Sequence, residues 1–160
     1  MKYKYLTLMA AGSVFFITGC SDSSEQVTAK QVTSVQQKKQ MPPTRWYSAQ
    51  QVKSGDVLYQ KHCATCHQAD ASGTGDWRQL DVNGKYPPPP LNGSAHTWHH
   101  HLEGLKRTIR IGGVSLGGSM PGFANKLNNQ EIEAVLAWVQ SQWSDEIYAA
   151  WNTRNEQASK

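Results

Sequence analysis

The sequence predicts an all-α fold, and three observations support this prediction. Residues 48–51 and 128–131 each have the pattern of a helix capping box, in which Ser or Asn is followed three positions later by Gln or Glu. Apolar residues at spacings of three and four follow each box. No segment alternates between apolar and polar residues as a half-buried strand does. The 160 residues suffice for one compact domain with a modest core and an appendage.

The apolar spacing predicts three main helices. The first begins at Ser48 and runs into Cys63, the second covers residues 97–111, and the last long helix begins at Asn128. After it, an aromatic-containing segment predicts one or two further helical turns on the domain surface, within a C-terminal extension at 145–160. The helical domain itself is predicted to span 47–144.

Proline and glycine dominate the segments between the helices. Residues 68–93 form a predicted loop that contains four consecutive prolines at 87–90. Because proline has a fixed φ and no N–H to donate, this run predicts a stiff extended wall rather than a helix or a central strand. A second loop, at 112–122, holds five glycines around Met120.

The N-terminus resembles an export signal. Two lysines precede an apolar run at 6–17 that is too short for a permanent membrane span. The sequence Ile-Thr-Gly-Cys at 17–20 resembles the lipobox of bacterial lipoproteins, which predicts a signal peptide at 1–19 and a lipid on Cys20. The alternative is an ordinary signal that leaves Cys20 a free thiol. We expect a protein anchored on the periplasmic side of a bacterial membrane, and the sequence does not distinguish the inner from the outer membrane.

Residues 20–46 are rich in Ser, Gln, Thr and Lys and lack apolar periodicity. Such a segment cannot bury enough apolar surface to offset the loss of chain entropy, so we expect a flexible tether. The formal net charge of +4 does not indicate nucleic-acid binding, because eight Lys and Arg between positions 46 and 145 are balanced by eight Asp and Glu.

The motif with the clearest chemistry is Cys63-Ala64-Thr65-Cys66-His67. A C-x-x-C pair followed at once by histidine is typical of covalent c-type haem attachment, with two thioethers to the porphyrin and the imidazole on the iron. A tetrahedral zinc site is typically built from two such cysteine pairs, and the chain has no second cysteine pair. A thioredoxin-type pair opens a helix after a strand, whereas this pair closes a helix.

Met120 is the candidate for the sixth iron ligand. It lies in Gly-Gly-Ser-Met-Pro-Gly-Phe, where glycines allow the backbone to approach a ring closely and Pro121 restricts the turn. Methionine more commonly fills gaps in a core, but an apolar helix stripe is missing here. With His67 and Met120 both bound, the iron has no position for a substrate, which predicts an electron carrier and not an enzyme.

Residues 48–143 resemble the class I monohaem c-type cytochromes of bacteria. The resemblance rests on Gly55 to Tyr59 before the Cys63–His67 motif, on Pro-Pro-Leu-Asn-Gly at 89–93, on Met-Pro-Gly-Phe at 120–123, and on 132–138. It implies a cytochrome c-like fold, a small helical domain wrapped around one covalently bound haem c. It also implies that the first and last helices cross at Gly55, with Tyr59 and Trp138 packed there. The resemblance further implies that the carbonyl of Pro89, or of Pro90, accepts the proton of the proximal imidazole.

Four histidines, His96, His99, His100 and His101, raise a separate hypothesis. On a helix, positions 96 and 100 could bind copper, nickel or zinc through neutral imidazoles; the plainer interpretation is a polar helix start. A third possibility is that one of these histidines replaces Met120 as the distal iron ligand. The leading prediction is a single-electron carrier between exported or membrane redox partners, including a role within a larger oxidoreductase. The alternatives are a copper-handling module based on the 96–101 cluster, and a haem enzyme or sensor in which Met120 dissociates.

Overall fold

The computed structural model describes residues 43–158, and this part of the chain is helical. Five α-helices occur there: α1, Ala49–His62; α2, Ala64–His67; α3, Leu102–Ile111; α4, Asn129–Ser141; and α5, Asp145–Ala158. Two single 3₁₀ turns lie at Thr97–His99 and Val114–Leu116. Within 43–158 there is no strand, only an isolated parallel bridge between Tyr86 and Gly118. The all-α prediction is confirmed. The predicted signal peptide, Cys20 and most of the tether lie outside the described residues.

Both predicted capping boxes are present. At the start of α1, Ser48 Oγ accepts a hydrogen bond from the Gln51 backbone N–H at 3.2 Å, and Gln51 Oε1 accepts from the Ser48 N–H at 2.9 Å. At the start of α4, Asn128 Oδ1 and Glu131 Oε2 make the same exchange at 3.0 and 2.8 Å. Each box therefore satisfies two backbone donors that a helix N-terminus would otherwise leave to water.

Helices α1 and α4 cross in close contact at Gly55. A methyl group on Gly55 would overlap the backbone carbonyl of Ala134 and lie 3.0 Å from the Trp138 Cβ. Next to this point the rings of Tyr59 and Trp138 pack with their centroids 4.0 Å apart. Because Gly55 has no side chain, the two helix backbones can approach this closely, and the Tyr59–Trp138 pair fills the space next to the crossing point.

The packed domain extends past the predicted limits of 47 and 144. Arg45 donates to the Gln140 carbonyl at 3.1 Å and to the Asp145 carboxylate at 2.7 Å, and its guanidinium lies over the Tyr148 ring. Helix α5 is four turns long and buries Tyr148 and Trp151 in the same core as Tyr59. Paired aromatic burial on α5 explains why this segment is longer and better packed than the one or two surface turns expected from its sequence.

The helix predicted over 97–111 is interrupted, which corrects the sequence prediction. A 3₁₀ turn ends at His99, His100 is extended, and α3 begins only after His101, whose Nδ1 caps it by accepting from the Gly104 N–H at 3.1 Å. The His100 carbonyl accepts from the Trp151 indole at 2.9 Å, and the Leu102 N–H donates to Asn155 at 2.9 Å. Because α5 occupies these backbone groups, residues 96–101 cannot form the helix on which the copper hypothesis placed its ligands.

No helix within residues 43–158 is both long enough and apolar enough to cross a membrane.

Candidate haem site

A cavity of about 500 Å³ lies where the cysteine motif, the proline run, α3, the Met120 loop and α4 meet. Its volume is within the range of small-molecule and cofactor sites. Cys63, His67 and Met120 all line it, although 53 residues of sequence separate the histidine from the methionine. Its apolar wall comes mainly from α3 and α4, through Leu105, Ile109, Val135, Leu136 and Val139.

The cysteine motif begins at the break between two helices, where Cys63 lies between α1 and α2. Helix α1 ends at His62, and the Cys63 carbonyl accepts from the N–H groups of Cys66 and His67 at 3.1 and 2.9 Å as α2 begins. Cys63 is half-buried and lines the cavity, whereas Cys66 is exposed beside it. Burial, with a smaller contribution from Cys66, raises the pKa of the Cys63 thiol to about 11. The thiol is therefore protonated at neutral pH, unlike the nucleophilic cysteine of a disulfide oxidoreductase.

His67 is buried, and its Nδ1 lies 2.9 Å from the Pro89 carbonyl oxygen. Since a carbonyl only accepts, Nδ1 carries the proton and Nε2 keeps a lone pair for a metal. Burial lowers the pKa of His67, and the bond to Pro89 opposes this only in part. The imidazole is therefore neutral at pH 7, the form that binds iron. The structure places the Pro89 carbonyl where the resemblance expects it, and Pro90 instead accepts from Thr97 Oγ1 at 3.1 Å.

The proline run is a wall of consecutive acceptors. The carbonyls of Pro88, Pro89, Pro90 and Leu91 accept, in order, from the Thr74 N–H, the His67 ring, the Thr97 hydroxyl and the Trp143 indole. Proline contributes a carbonyl acceptor but no N–H donor. Four different segments can therefore donate hydrogen bonds to this short stretch, and the prolines themselves leave no N–H unpaired.

Gly73 allows the wall to lie close to the cysteine motif. Its φ is +62°, its N–H donates to the His67 carbonyl at 2.9 Å, and a Cβ there would come within 2.5 Å of the Pro90 nitrogen. Both the backbone conformation and the contact exclude a side chain.

The Gly73→Ala variant is expected to lose about 1–3 kcal/mol of unfolding free energy, because the strain and the overlap with the proline backbone must be relieved by movement. Chemical unfolding of the haem-loaded protein measures this. Gly75→Ala is the matched control, since a Cβ there meets nothing within 4 Å. Equal stability of the two variants would contradict the close packing of Gly73 on the proline wall.

The Met120 loop is closed by its own backbone. The Met120 carbonyl accepts from the Gly113 N–H at 2.9 Å, and the Phe123 N–H donates to the Ile109 carbonyl at 2.9 Å. Gly112 has φ +82°, and a Cβ there would lie 2.5 Å from the Met120 carbonyl oxygen. The glycines that the sequence analysis associated with a close ring approach therefore also permit the chain to fold back on itself before Met120.

The model of the family described as cytochrome c oxidase, cbb3-type, subunit III matches residues 50–139, more than half of the chain. The chain belongs to this family. It is therefore a c-type cytochrome domain, whose cofactor is haem c and whose chemistry is electron transfer. The matched segment contains the cysteine motif, the proline run, the Met120 loop and most of α4.

This cytochrome is also similar to a thiosulfate dehydrogenase of Allochromatium vinosum. The two are 35% identical over 86 residues, which is 53% of this chain but only 29% of that protein. The cytochrome thus spans much less than the full length of this relative. No solved structure is significantly similar to the chain.

The cavity fits haem on its own chemistry. A thiol, an imidazole with a free lone pair and a thioether line one space, and large apolar side chains supply most of the remaining wall. The roles of Cys63, Cys66, His67, Met120 and Pro89 toward haem stay predictions that this geometry agrees with. Sequence reasoning did not identify Trp77 and Arg78, which also line the cavity. The one signal for them was an aromatic–basic pair within a loop of glycines and acidic residues.

The histidine cluster is dispersed. His101 caps α3, and the rings of His99 and Trp98 form a T-shaped pair. His96 and His100 both line the cavity with their ring centroids 5.4 Å apart. Among residues 43–158, no three or more His, Cys, Asp or Glu side chains are grouped so as to hold a metal ion.

Proposed function

We propose that this cytochrome is a single-electron carrier with one haem c, bound through thioethers from Cys63 and Cys66 and ligated axially by His67 and Met120. The observation that carries the proposal is that Cys63, His67 and Met120 line one largely apolar cavity. With both axial positions of the iron filled by the protein, the site transfers electrons without binding a substrate.

The protein's residues would tune this chemistry in two ways. The iron supplies the one-electron change between its ferrous and ferric states. The Pro89 carbonyl fixes the orientation of His67 and makes its imidazole a stronger electron donor, which favours the ferric state. The apolar side chains of α3 and α4 exclude water, which favours the ferrous state because it carries less net charge.

Single-cysteine variants test the attachment. Cys63→Ser and Cys66→Ser are each expected to retain one thioether, so the haemochrome band in pyridine moves to longer wavelength as one vinyl group stays conjugated. The double variant is expected to lose haem on acid–acetone extraction. Cys20→Ser is the control, with an unchanged haemochrome. An unshifted spectrum in either single variant would contradict the two-thioether attachment.

We further propose that the cytochrome is exported and held on the periplasmic side of a membrane by a lipid on Cys20. The lipobox-like sequence at 17–20 and the preceding apolar run support this. The Cys20→Ser protein is expected to lose palmitate labelling, whereas the Cys63→Ser protein keeps it. Palmitate labelling of the Cys20→Ser protein would contradict a lipid anchor at this position.

Redox proteins of unspecified identity are the proposed partners, in transient contacts beside the cavity. Leu116 lines the cavity and is 72% exposed, and Tyr86 is 47% exposed next to it. Phe123, close to Met120 in sequence, does not contribute to this rim, because it is only 7% exposed and packs into the core against α4. A small apolar rim suits a short-lived redox encounter.

A second candidate function is that of an electron-transfer module of a larger oxidoreductase, which the similarity to thiosulfate dehydrogenase favours. Purification of the full-length, haem-loaded protein from its native membrane tests it, since a module is expected to leave the membrane together with a catalytic subunit and a free carrier is expected to leave alone. The dispersed histidines weigh against the copper-handling alternative.

A further inference from the structure

The polar groups of the cavity are unevenly distributed. Among the described residues that line it, Arg78 is the one with a permanent charge, and none is Asp or Glu. Three lining hydroxyls are already donated to backbone carbonyls: Tyr59 to Gln68, Thr97 to Pro90 and Thr108 to Gly104, at 2.9, 3.1 and 3.0 Å. These groups, like the His67 Nδ1–H, have no donor left for a ligand.

Uncommitted polar groups are concentrated in what we call the histidine end, composed of Trp77, Arg78, His96 and His100. The rings of Trp77 and His96 stack with centroids 4.8 Å apart, and the Arg78 guanidinium lies 4.6 Å from the Trp77 ring centroid. The rings of His96 and His100 form a T-shaped pair with an interplanar angle of 78°. Arg78 makes no ion pair within residues 43–158. Tyr86 and Ser119 are the other lining hydroxyls, both near the Tyr86–Gly118 bridge.

His96 has a buried atom without a partner. Its Nδ1 is closed to solvent and makes no hydrogen bond. A buried polar atom left unpaired costs about 1–3 kcal/mol, so it usually marks a missing partner. The stacking on Trp77 holds this ring at the cavity lining. Because Nδ1 is closed to the cavity space as well as to bulk solvent, Nε2 is the ring nitrogen that a ligand in the cavity can reach.

Haem carries two carboxylates, and the apolar walls of α3 and α4 cannot accept them without a large desolvation cost. We propose that the histidine end binds the haem carboxylates, with Arg78 as the permanent cation and His96 as a donor that is protonated when the carboxylate is present. This inference rests on the proposed haem-bearing function and adds the residues that orient the cofactor. Arg78 and His96 are positioning residues, since they act on the carboxylates and not on the iron.

A redox-linked proton follows from this arrangement. Without a carboxylate, burial lowers the pKa of His96, and His100, His99 and Arg78 lower it further. A carboxylate beside the ring acts in the opposite direction and favours the imidazolium. Oxidation of the iron adds one positive charge, so the imidazolium is held less tightly in the oxidised protein. His96 therefore has a lower pKa in the oxidised protein than in the reduced protein. The midpoint potential is expected to be constant below both pKa values, to fall as the pH rises from the lower to the higher one, and to be constant again above them.

The test is the midpoint potential of the full-length, haem-loaded protein, measured by spectroelectrochemistry from about pH 5 to pH 9, the region where histidine titrates. We expect the proton-binding constant of the reduced wild-type protein to exceed that of the oxidised protein by roughly threefold or more. His96→Gln is expected to remove the pH dependence. His99→Gln, at an exposed ring outside the cavity lining, is expected to retain it.

Three outcomes would overturn the inference. These are a flat profile in the wild type, a profile that survives His96→Gln, and a profile that disappears in the control variant His99→Gln. Addition of inorganic phosphate at constant ionic strength distinguishes haem carboxylates from a free oxyanion as the ligand of the histidine end. A midpoint potential that shifts with phosphate would show that the histidine end is open to a free oxyanion and is not filled by haem carboxylates. The pyridine haemochrome of the same samples separates this failure from failure of the proposed function, because it reports covalent haem independently of pH.

Discussion

Replacement of Met120 by alanine is expected to turn a reduced protein that excludes carbon monoxide into one that binds it readily. With Met120 on the iron, as proposed, the gas can bind the wild-type protein only in the small population from which Met120 has dissociated. If that population is ~1% or less, removal of the thioether raises the apparent affinity ~100-fold or more. The variant should also have a lower midpoint potential, since a thioether opposite histidine favours the ferrous state. Titration of the reduced protein with carbon monoxide, followed by absorption spectroscopy, measures the affinity.

Leu116→Ala is the control for this experiment. Leu116 lines the same cavity from the same loop, but its side chain is 72% exposed and offers no iron ligand. We expect its carbon monoxide affinity and its oxidised spectrum to match the wild type. Tight binding of carbon monoxide by the unmodified protein would show that Met120 dissociates readily, and would favour the alternative of a haem enzyme or sensor.

Gly55→Ala is expected to lower the unfolding free energy by about 2–3 kcal/mol, although alanine is the better helix former. The new methyl group would overlap the backbone carbonyl of Ala134, which cannot rotate away as a side chain could. Helices α1 and α4 must therefore separate, and the packing of Tyr59 on Trp138 loosens with them. Chemical denaturation of the haem-loaded protein, with near-ultraviolet circular dichroism as the signal, measures both effects.

Gly104→Ala provides the matched control, because it makes the same substitution inside α3. A Cβ at position 104 would meet only the His101 ring, at 3.4 Å or more, an ordinary van der Waals distance. This variant is expected to gain about 0.5–1 kcal/mol from helix propensity. Opposite signs at the two glycines support the backbone contact at Gly55, whereas two stabilised variants would contradict it.

The cysteine motif could be recognised from sequence because its chemistry is local. Cys63, Cys66 and His67 lie within five consecutive residues, so their identity and spacing are sufficient for the prediction. The two capping boxes are local for the same reason, and both are present. Met120 required a weaker inference, from the glycines and proline around it.

Features that depend on distant segments could not be predicted in this way. The interruption at His100 arises from hydrogen bonds to Trp151 and Asn155, more than fifty residues away. The burial of Phe123 depends on α4, and the integration of α5 depends on Arg45 and the aromatic core. In each case the local conformation that neighbouring residues favour is overridden by contacts with distant residues, which form only when the chain folds.

The sequence by itself determined the helical class, the helix starts and the cysteine–histidine motif, because short-range spacing and capping chemistry govern these. Tertiary structure alone decided which carbonyl of the proline run faces His67, how the histidines of 96–101 divide between a cap and the cavity, and that Trp77 and Arg78 border it. Those outcomes depend on where backbone and ring atoms from separate segments come to lie within hydrogen-bonding or stacking distance.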